Sequence, residues 1–187
     1  CWTLINLPPP ERSNVVWNKL EEISKISSGK NKVKNKEGAY PVYGSTGIIE
    51  HSDSFKYDND QILIARVGAN AGFVHLASGM YDVSDNTLIV DLKKSISIKY
   101  VYYILDNLKL NKYAQGGGQP LVTASRIKKV EIPIPPLTEQ NRIVAILDRF
   151  EALTTPLQHG LPAEIAARRQ QYEYYRDKLL DFKRKTA

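Results

Sequence analysis

The sequence predicts an α+β protein, in which a mixed, mostly β domain at residues 1–137 is followed by a two-helix, coiled-coil-type spacer at residues 138–187. Two observations carry this prediction. Short apolar runs separated by glycine turns fill the first part, which is typical of strands. Apolar residues at heptad spacing fill the second part, which is typical of paired helices. The proline-rich segment 132–136 separates the two patterns.

Four segments of the first domain have the composition of strands, because aliphatic and aromatic residues dominate them and turn residues border them. Glycines mark turns at 68–72 and 77–79. Pro133 lies in the last segment and favours an edge position for that strand. The predicted strands are the start of 40–49, where a glycine turn follows, then 61–67, 87–92 and 130–134.

One helix is predicted in the first domain, at residues 98–110. Val101, Leu105 and Leu108 recur there near helical spacing. The three glycines and the proline of 116–120 then exclude regular structure.

Residues 138–187 carry two apolar seams, each stepping by three and four residues. A seam this narrow suits a helix with one partner helix rather than a helix buried on all sides. Thr138 is the expected N-cap of the first helix, Pro156 should end or kink that helix, and Pro162 fits the opening turn of the second. The first seam is Ile143, Ile146, Phe150, Leu153 and Leu157, and the second is Ile165, Arg168, Tyr172, Tyr175, Leu179 and Phe182.

Two arrangements would cover these seams. The helices could close their own core as a hairpin, or they could pair with helices of another chain. Arg168 occupies a seam position and favours the second arrangement, because a buried guanidinium needs a carboxylate across an interface. The residues predicted at a dimer or partner interface are Ile143, Phe150, Ile165, Tyr172, Tyr175, Leu179 and Phe182.

The net charge of +6 and the isoelectric point of about 9.3 suggest an anionic partner. The excess lies mainly in the first domain, which holds 17 basic against 13 acidic residues. Lys30, Lys32, Lys34 and Lys36 alternate, so on a strand they would share one face and could meet phosphates. A second basic cluster covers 126–129. The alternative is that such lysines only protect a solvated strand edge from aggregation.

Catalytic motifs are missing from the sequence. No Gly-Lys-Ser/Thr follows the glycine run at 116–118, no Gly-x-Ser-x-Gly elbow occurs, and the three histidines are scattered. Asp53, Asp58 and Asp60 lie close together, but their serine and asparagine neighbours favour an exposed turn over a metal site. We therefore predict a non-catalytic protein that uses no cofactor and no metal.

Cys1 is the only cysteine, so no intramolecular disulfide can form, and we expect a reducing compartment. No apolar run approaches the roughly 18 residues that a membrane span needs. Together these observations predict a cytoplasmic protein that does not enter a membrane. A cysteine in place of a starting methionine suggests a processed or truncated product, or numbering that starts inside a longer chain.

The tail motifs closely resemble the conserved helical region of type I restriction-modification specificity subunits. They are LTEQ at 137–140, GLPAEI at 160–165 and QYEYYRDKLL at 171–180. Other segments look like the two ends of that family's target recognition domain. They are 17–20, 40–44, 116–120 and 132–136. The resemblance spans nearly the whole chain, and its tail motifs are the specific part.

The resemblance implies a mechanism. A full-length specificity subunit has two recognition domains, each reading one half of a split double-stranded DNA site, and paired helices that set the gap. This chain resembles half of such a subunit, so two copies would pair their helices in antiparallel fashion as a homodimer. Modification subunits would dock on the chain and supply adenine methylation. Restriction subunits would add ATP-driven translocation and cleavage.

Base recognition requires polar or basic side chains on loops that face a DNA groove. Nine residues fit this requirement, and several have a structural alternative. Ser45 and Thr46 could simply shape a turn, and Arg66 could pair with a carboxylate. Gln119 could serve as the turn residue before Pro120. The nine residues are Lys30, Lys32, Lys34, Ser45, Thr46, Arg66, Asn70, Gln119 and Lys128.

Two other classes of function stay open. A scaffold or antirestriction-like module would bind modification subunits through its helices and barely touch DNA, so its DNA affinity would be negligible at every salt concentration. An independent nuclease or methyltransferase would need further motifs, and the sequence has no Asp/Asn-Pro-Pro-aromatic motif. Methylation by the purified chain with a methyl donor would reveal such an enzyme.

Overall fold

The computed structural model describes residues 14–30, 38–116, 118–154 and 162–182. Contacts divide the chain into two units. One unit, Asn18–Ile132, contains most of the strands, and we call it the β-rich unit. The other joins the described residues before Asn18 to those from Pro133 onward and contains the two long helices, and we call it the helical unit. The predicted α+β class is confirmed.

The elements follow one another along the chain with strands first and long helices last. They are β1 (Val16–Lys19), α1 (Leu20–Ile23), β2 (Ser24–Ser28), β3 (Tyr40–Gly44), β4 (Gly47–Ser52), β5 (Gln61–Ala65), β6 (Val74–Ala77), β7 (Asp82–Val83), β8 (Thr87–Leu92), α2 (Ile98–Asn107), a 3-10 turn (Leu110–Tyr113), α3 (Ala124–Lys128), β9 (Glu131–Ile134), α4 (Leu137–Thr154) and α5 (Pro162–Leu180).

The main sheet has the strand order β2-β8-β5-β6, and all of its pairings are antiparallel. β5 is buried along its whole length, which explains why it reads as a continuous apolar run. Its neighbour β8 is buried from Thr87 to Val90. The two central strands of the sheet therefore form its buried core.

A second sheet has the order β4-β3-β7, with β3 and β4 forming a hairpin. Tyr81 lies between the two sheets, where it is fully buried and its ring contacts those of Tyr43 and Tyr57. Its hydroxyl lies 2.9 Å from both the Gln61 Oε1 and the Asn59 carbonyl oxygen. Burial raises the pKa of the Tyr81 phenol, so this hydroxyl stays protonated and can donate.

The predicted strands are largely confirmed. β8 occupies 87–92, β5 ends two residues before the predicted end, and the strand and turn predicted in 40–49 continue into β4. β9 pairs with β1 in a two-stranded sheet, so both are edge strands. The sequence does not predict β2, because only Ile26 of its five residues is buried. The sequence also predicts a turn at 77–79, but Ala77 is the last residue of β6.

The predicted helix at 98–110 is shorter in the structure, because α2 ends at Asn107. Lys109 adopts the left-handed backbone conformation with φ of 51°, which a regular helix cannot contain. Leu110 then begins the 3-10 turn and is fully buried.

In the helical unit, α4 and α5 pack on each other within one chain. Ile143, Leu147 and Phe150 of α4 are buried. The Phe150 ring stacks on Tyr175 with centroids 5.3 Å apart and meets Tyr172 edge-on at 6.5 Å. These contacts are those of a hairpin within one chain. The buried positions of α4 match the predicted seam only in part, because Leu147 is buried and Ile146, which the seam contains, is half-buried.

The start of α4 differs from the prediction. The helix begins at Leu137, so Thr138 is its second residue and not its N-cap. The Pro136 carbonyl accepts hydrogen bonds from the backbone of Glu139 and Gln140, and the Gln140 side chain donates to the Pro135 carbonyl at 2.8 Å. These hydrogen bonds connect the two prolines to the first turn of α4.

Pro162 is the first residue of α5, as predicted, whereas Pro156 lies outside the described residues. Within the described ranges, none of the helices combines the length and the apolar character that crossing a membrane requires.

Candidate nucleic-acid interface

One end of the main sheet gathers four strand termini. β2 and β5 end there and β6 and β8 begin there, because all three pairings are antiparallel. The residue that leaves β5 at this end is Arg66, and we call the region the Arg66 end. It comprises residues 28–30, 66–74 and 84–87.

Arg66 ties these segments together. Its Nη1 donates to the Asp85 carbonyl at 3.1 Å and lies 3.4 Å from the Ser28 Oγ. Its backbone N–H donates to the Asn86 carbonyl, and its carbonyl accepts from Val122. The side chain of Arg66 therefore forms hydrogen bonds with a carbonyl and a hydroxyl oxygen. A carboxylate partner was the alternative that the sequence left open.

A second loop reaches the Arg66 end from a distant part of the chain. The Gly68 N–H donates to the Pro120 carbonyl at 3.0 Å, and Gln115 exchanges two backbone hydrogen bonds with Leu121. Gln119 is exposed beside this contact. Gln115 and Leu121 thus form the base of a loop, and the hydrogen bond from Gly68 to Pro120 holds this loop, with Gln119, next to the 68–72 turn.

The 68–72 turn also meets the 3-10 turn. Gly72 has φ of +92°, and a Cβ placed on it would lie 2.5 Å from the Leu110 carbonyl carbon and closer still to the Asn111 nitrogen. Only glycine allows this approach. Beside it lies a cavity of about 200 Å³, whose lining includes Asn70, Phe73 and Lys109.

The β3–β4 turn lies against the same end. The Ser84 N–H donates to the Tyr43 carbonyl, and His75 of β6 forms a hydrogen bond with the Ser45 backbone. Burial lowers the pKa of His75, and the hydrogen bond to Ser45 opposes this shift. His75 is therefore neutral at physiological pH. Thr46, which follows Ser45, is exposed.

The structure thus places three of the nine predicted DNA-binding residues within the Arg66 end and three more on loops that contact it. Lys30 is exposed directly after β2, where its N–H donates to the Val83 carbonyl at 3.1 Å. Lys128 lies elsewhere, at the end of α3, which contacts α1 and β2. Lys32 and Lys34 lie outside the described residues. The six residues are Lys30, Ser45, Thr46, Arg66, Asn70 and Gln119.

The chemistry of this region suits polar recognition. Asn70 and Gln119 present exposed amides, which can donate and accept hydrogen bonds at base edges. Lys30 and Lys109 present exposed cations, which can contact phosphates. Within the described ranges, no three histidine, cysteine, aspartate or glutamate side chains lie where they could share a metal ion.

Buried polar atoms also collect at or next to this end of the sheet. Arg66 Nε, His75 Nε2, Ser84 Oγ and Thr87 Oγ1 are buried and make no hydrogen bond to another described group. Sequence analysis did not single out His75, Phe73 or Lys109 for this region. The two lysines at 109 and 112 could have indicated that basic side chains belong to this region. Phe73 has no such signal, because an aromatic residue beside a strand looks like an ordinary core residue.

The predicted interface residues of the helices have different surroundings. Tyr172 and Tyr175 are half-buried against Phe150. The side chain of Ile165 lies outside the described ones. The remaining members are already buried within the single chain. They are Ile143, Phe150, Leu179 and Phe182.

Comparison with protein families gives a match over most of the chain. Residues 13–167 match the family described as type I restriction modification DNA specificity domain. Over 182 residues, 31% are identical to a sequence from Haemophilus influenzae that is described as a type I restriction enzyme specificity subunit, an alignment covering 91% of this chain and 47% of that protein. The EcoprrI specificity subunit of Escherichia coli is 29% identical over 145 residues, covering 74% of this chain and 36% of that protein.

A solved structure has a similar fold. The S subunit of a type I restriction-modification system from M. genitalium superimposes with a TM-score of 0.67 at 20% identity, covering 82% of this chain and 42% of that chain. At this level of identity the match shows the fold alone. The chain spans less than half the length of each of these three relatives.

Proposed function

Because the chain belongs to the type I restriction-modification DNA specificity family, we propose that it reads one half of a bipartite double-stranded DNA target with the Arg66 end. Members of this family are specificity subunits, so the chain is a non-catalytic component, as its sequence predicts. Modification and restriction are the work of other subunits.

The observation that carries the proposal is the convergence at the Arg66 end. Residues selected from the sequence only for their type and loop position come together there, from segments as far apart as Lys30 and Gln119. Turns at the end of a rigid sheet can hold such side chains in a fixed geometry, which base recognition needs. The exposed lysines nearby would supply contacts to the phosphates.

The proposal predicts a steep salt dependence of DNA binding. If about four phosphates are contacted, the affinity for duplex DNA should fall by about 100-fold between 50 and 200 mM salt, because each contact releases condensed counterions. Fluorescence anisotropy with a labelled duplex pool measures this slope. A negligible affinity that does not change with salt would instead support the scaffold alternative.

Matched lysine variants locate the contact. Lys30→Gln should lower the slope of log affinity against log salt by about 0.9, because one phosphate contact is lost. Lys25→Gln is the control, since Lys25 is exposed within β2, which precedes Lys30, but lies opposite Asp91 in the strand register, away from the Arg66 end. Equal slopes for the two variants would place the DNA elsewhere.

We also propose that the helical unit serves as a spacer between half-sites and as a docking surface for modification subunits, with restriction subunits joining through the complex in the cytoplasm. Two features support this role. Pro135 and Gln140 fix the start of α4, and α5, at about 1.5 Å per residue, extends roughly 28 Å. A stiff element of this kind can set a distance.

A homodimer formed by antiparallel helix pairing would rebuild a two-domain reader. We expect light scattering to give twice the chain mass of 21.1 kDa. Leu179 and Phe182 are buried within one chain, so the double change Leu179→Asp with Phe182→Asp should loosen the pairing of α4 with α5. Because the homodimer would be built from these helices, the change should also release monomers, while the β-rich unit stays folded. A stable monomer of the unmutated chain at high micromolar concentration would contradict the homodimer.

A further inference from the structure

Phe73 is exposed at the Arg66 end, although large apolar residues are normally buried. Its side chain is 54% exposed, on the residue that precedes β6. A single exposed apolar residue needs no explanation on an ordinary surface. Phe73, however, lies within a cluster of polar and basic groups, and Asn70 and Lys109 line the same cavity.

The backbone holds Phe73 firmly. Its N–H donates to the Asn70 carbonyl at 2.8 Å, and its carbonyl accepts from the Ala65 N–H at 2.9 Å. The ring rests on His75, with centroids 4.7 Å apart and planes tilted by 53°. Because His75 is neutral and its Nε2 is buried, the exposed Phe73 ring is the apolar part of an uncharged pair, and it has a defined position.

We propose that Phe73 contacts DNA bases and reads a thymine through its 5-methyl group in the major groove. This proposal rests on the proposed function of the Arg66 end. Among the base edges that the major groove displays, the thymine methyl is the apolar group that such a side chain can contact. The ring is half covered by the protein, so a contact with its free edge fits better than insertion of the whole ring between base pairs.

The first test selects duplexes from a randomised pool with the full chain and with Phe73→Ala. We expect the unmutated chain to select a motif with at least one A·T position, and the variant to lose the preference there while it keeps the others. Phe73→Leu should retain that preference, because it keeps an apolar contact. Met80→Ala is the control, since Met80 is 50% exposed beyond the opposite end of β6.

The second test replaces the thymine at that position with uracil, which lacks only the methyl group. The affinity of the unmutated chain should fall by about fourfold, the equivalent of ~0.8 kcal/mol for one buried methyl group. The affinity of Phe73→Ala should not change. Equal losses for both proteins, or a motif without thymine, would overturn the proposal.

Two further outcomes separate the explanations. If Phe73→Ala selects the unchanged motif but no longer assembles with modification subunits, the ring contacts a protein and the thymine proposal is wrong. If the unmutated chain selects no motif at all, the proposed function itself fails. If the motif selected by Phe73→Ala differs from that of the unmutated chain at one A·T position only, both of these explanations are excluded and Phe73 reads that position.

Discussion

Gly72→Ala should lower the free energy of unfolding of the β-rich unit by about 3 kcal/mol, and it should weaken DNA binding by about tenfold. Two costs add at this position. The φ of +92° is strained for any side chain, and the new Cβ would collide with the backbone at Leu110 and Asn111, which must then shift. The shift would displace the turn that carries Asn70, and one lost base contact costs about a factor of ten. Chemical denaturation and fluorescence anisotropy measure the two effects.

Gly68→Ala is the matched control for this change. Gly68 has a similar φ of +82°, but a Cβ placed there would meet no atom within 4 Å. This variant should therefore show the conformational strain alone, about 1 kcal/mol. If both variants lose the same stability, the close approach to the 3-10 turn contributes nothing, and the structural argument for Gly72 is wrong.

Phe150→Ala should destabilise the helical unit by about 3–5 kcal/mol, the usual cost of removing a buried phenylalanine side chain. Phe150 is 5% exposed, and its ring contacts both Tyr172 and Tyr175, so its loss leaves a cavity between α4 and α5. Amide hydrogen exchange should become faster along both helices. The strands of the β-rich unit should keep their protection, because they have a core of their own.

Tyr174→Ala is the control for the helical unit. Tyr174 lies on α5 beside Tyr175, but it is 52% exposed. Removing an exposed side chain usually changes stability by less than about 0.5 kcal/mol. Equally fast exchange in Phe150→Ala and Tyr174→Ala would show that the Phe150 stack does not hold the two helices together.

The fold was predictable wherever burial follows a simple period. β5 and β8 read as apolar runs because they lie in the middle of a sheet. β2 escaped prediction because its neighbours in space, and not its own residues, make it a strand. Thr138 was assigned as an N-cap from its residue type, but the chain turns into the helix already at Leu137.

The candidate site was predictable in its residue types but not in its assembly. Asn70 and Gln119 have the residue types expected on recognition loops, but contacts between distant segments bring their loops together, such as the hydrogen bond between Gly68 and Pro120 across 52 residues of chain. Phe73 was not selected, because an aromatic residue beside a strand normally belongs to the core. Pairing between distant segments leaves no local pattern in a sequence.

The Arg66 end is joined largely by backbone hydrogen bonds, as between Val122 and Arg66, between Gly68 and Pro120, and between Gln115 and Leu121. Backbone bonds of this kind do not depend on the identity of the exposed side chains around them. Asn70, Gln119 and Thr46 could therefore be exchanged during evolution at little cost in stability. Such a framework would let a lineage acquire a new DNA target through a few point substitutions, without having to evolve a new fold.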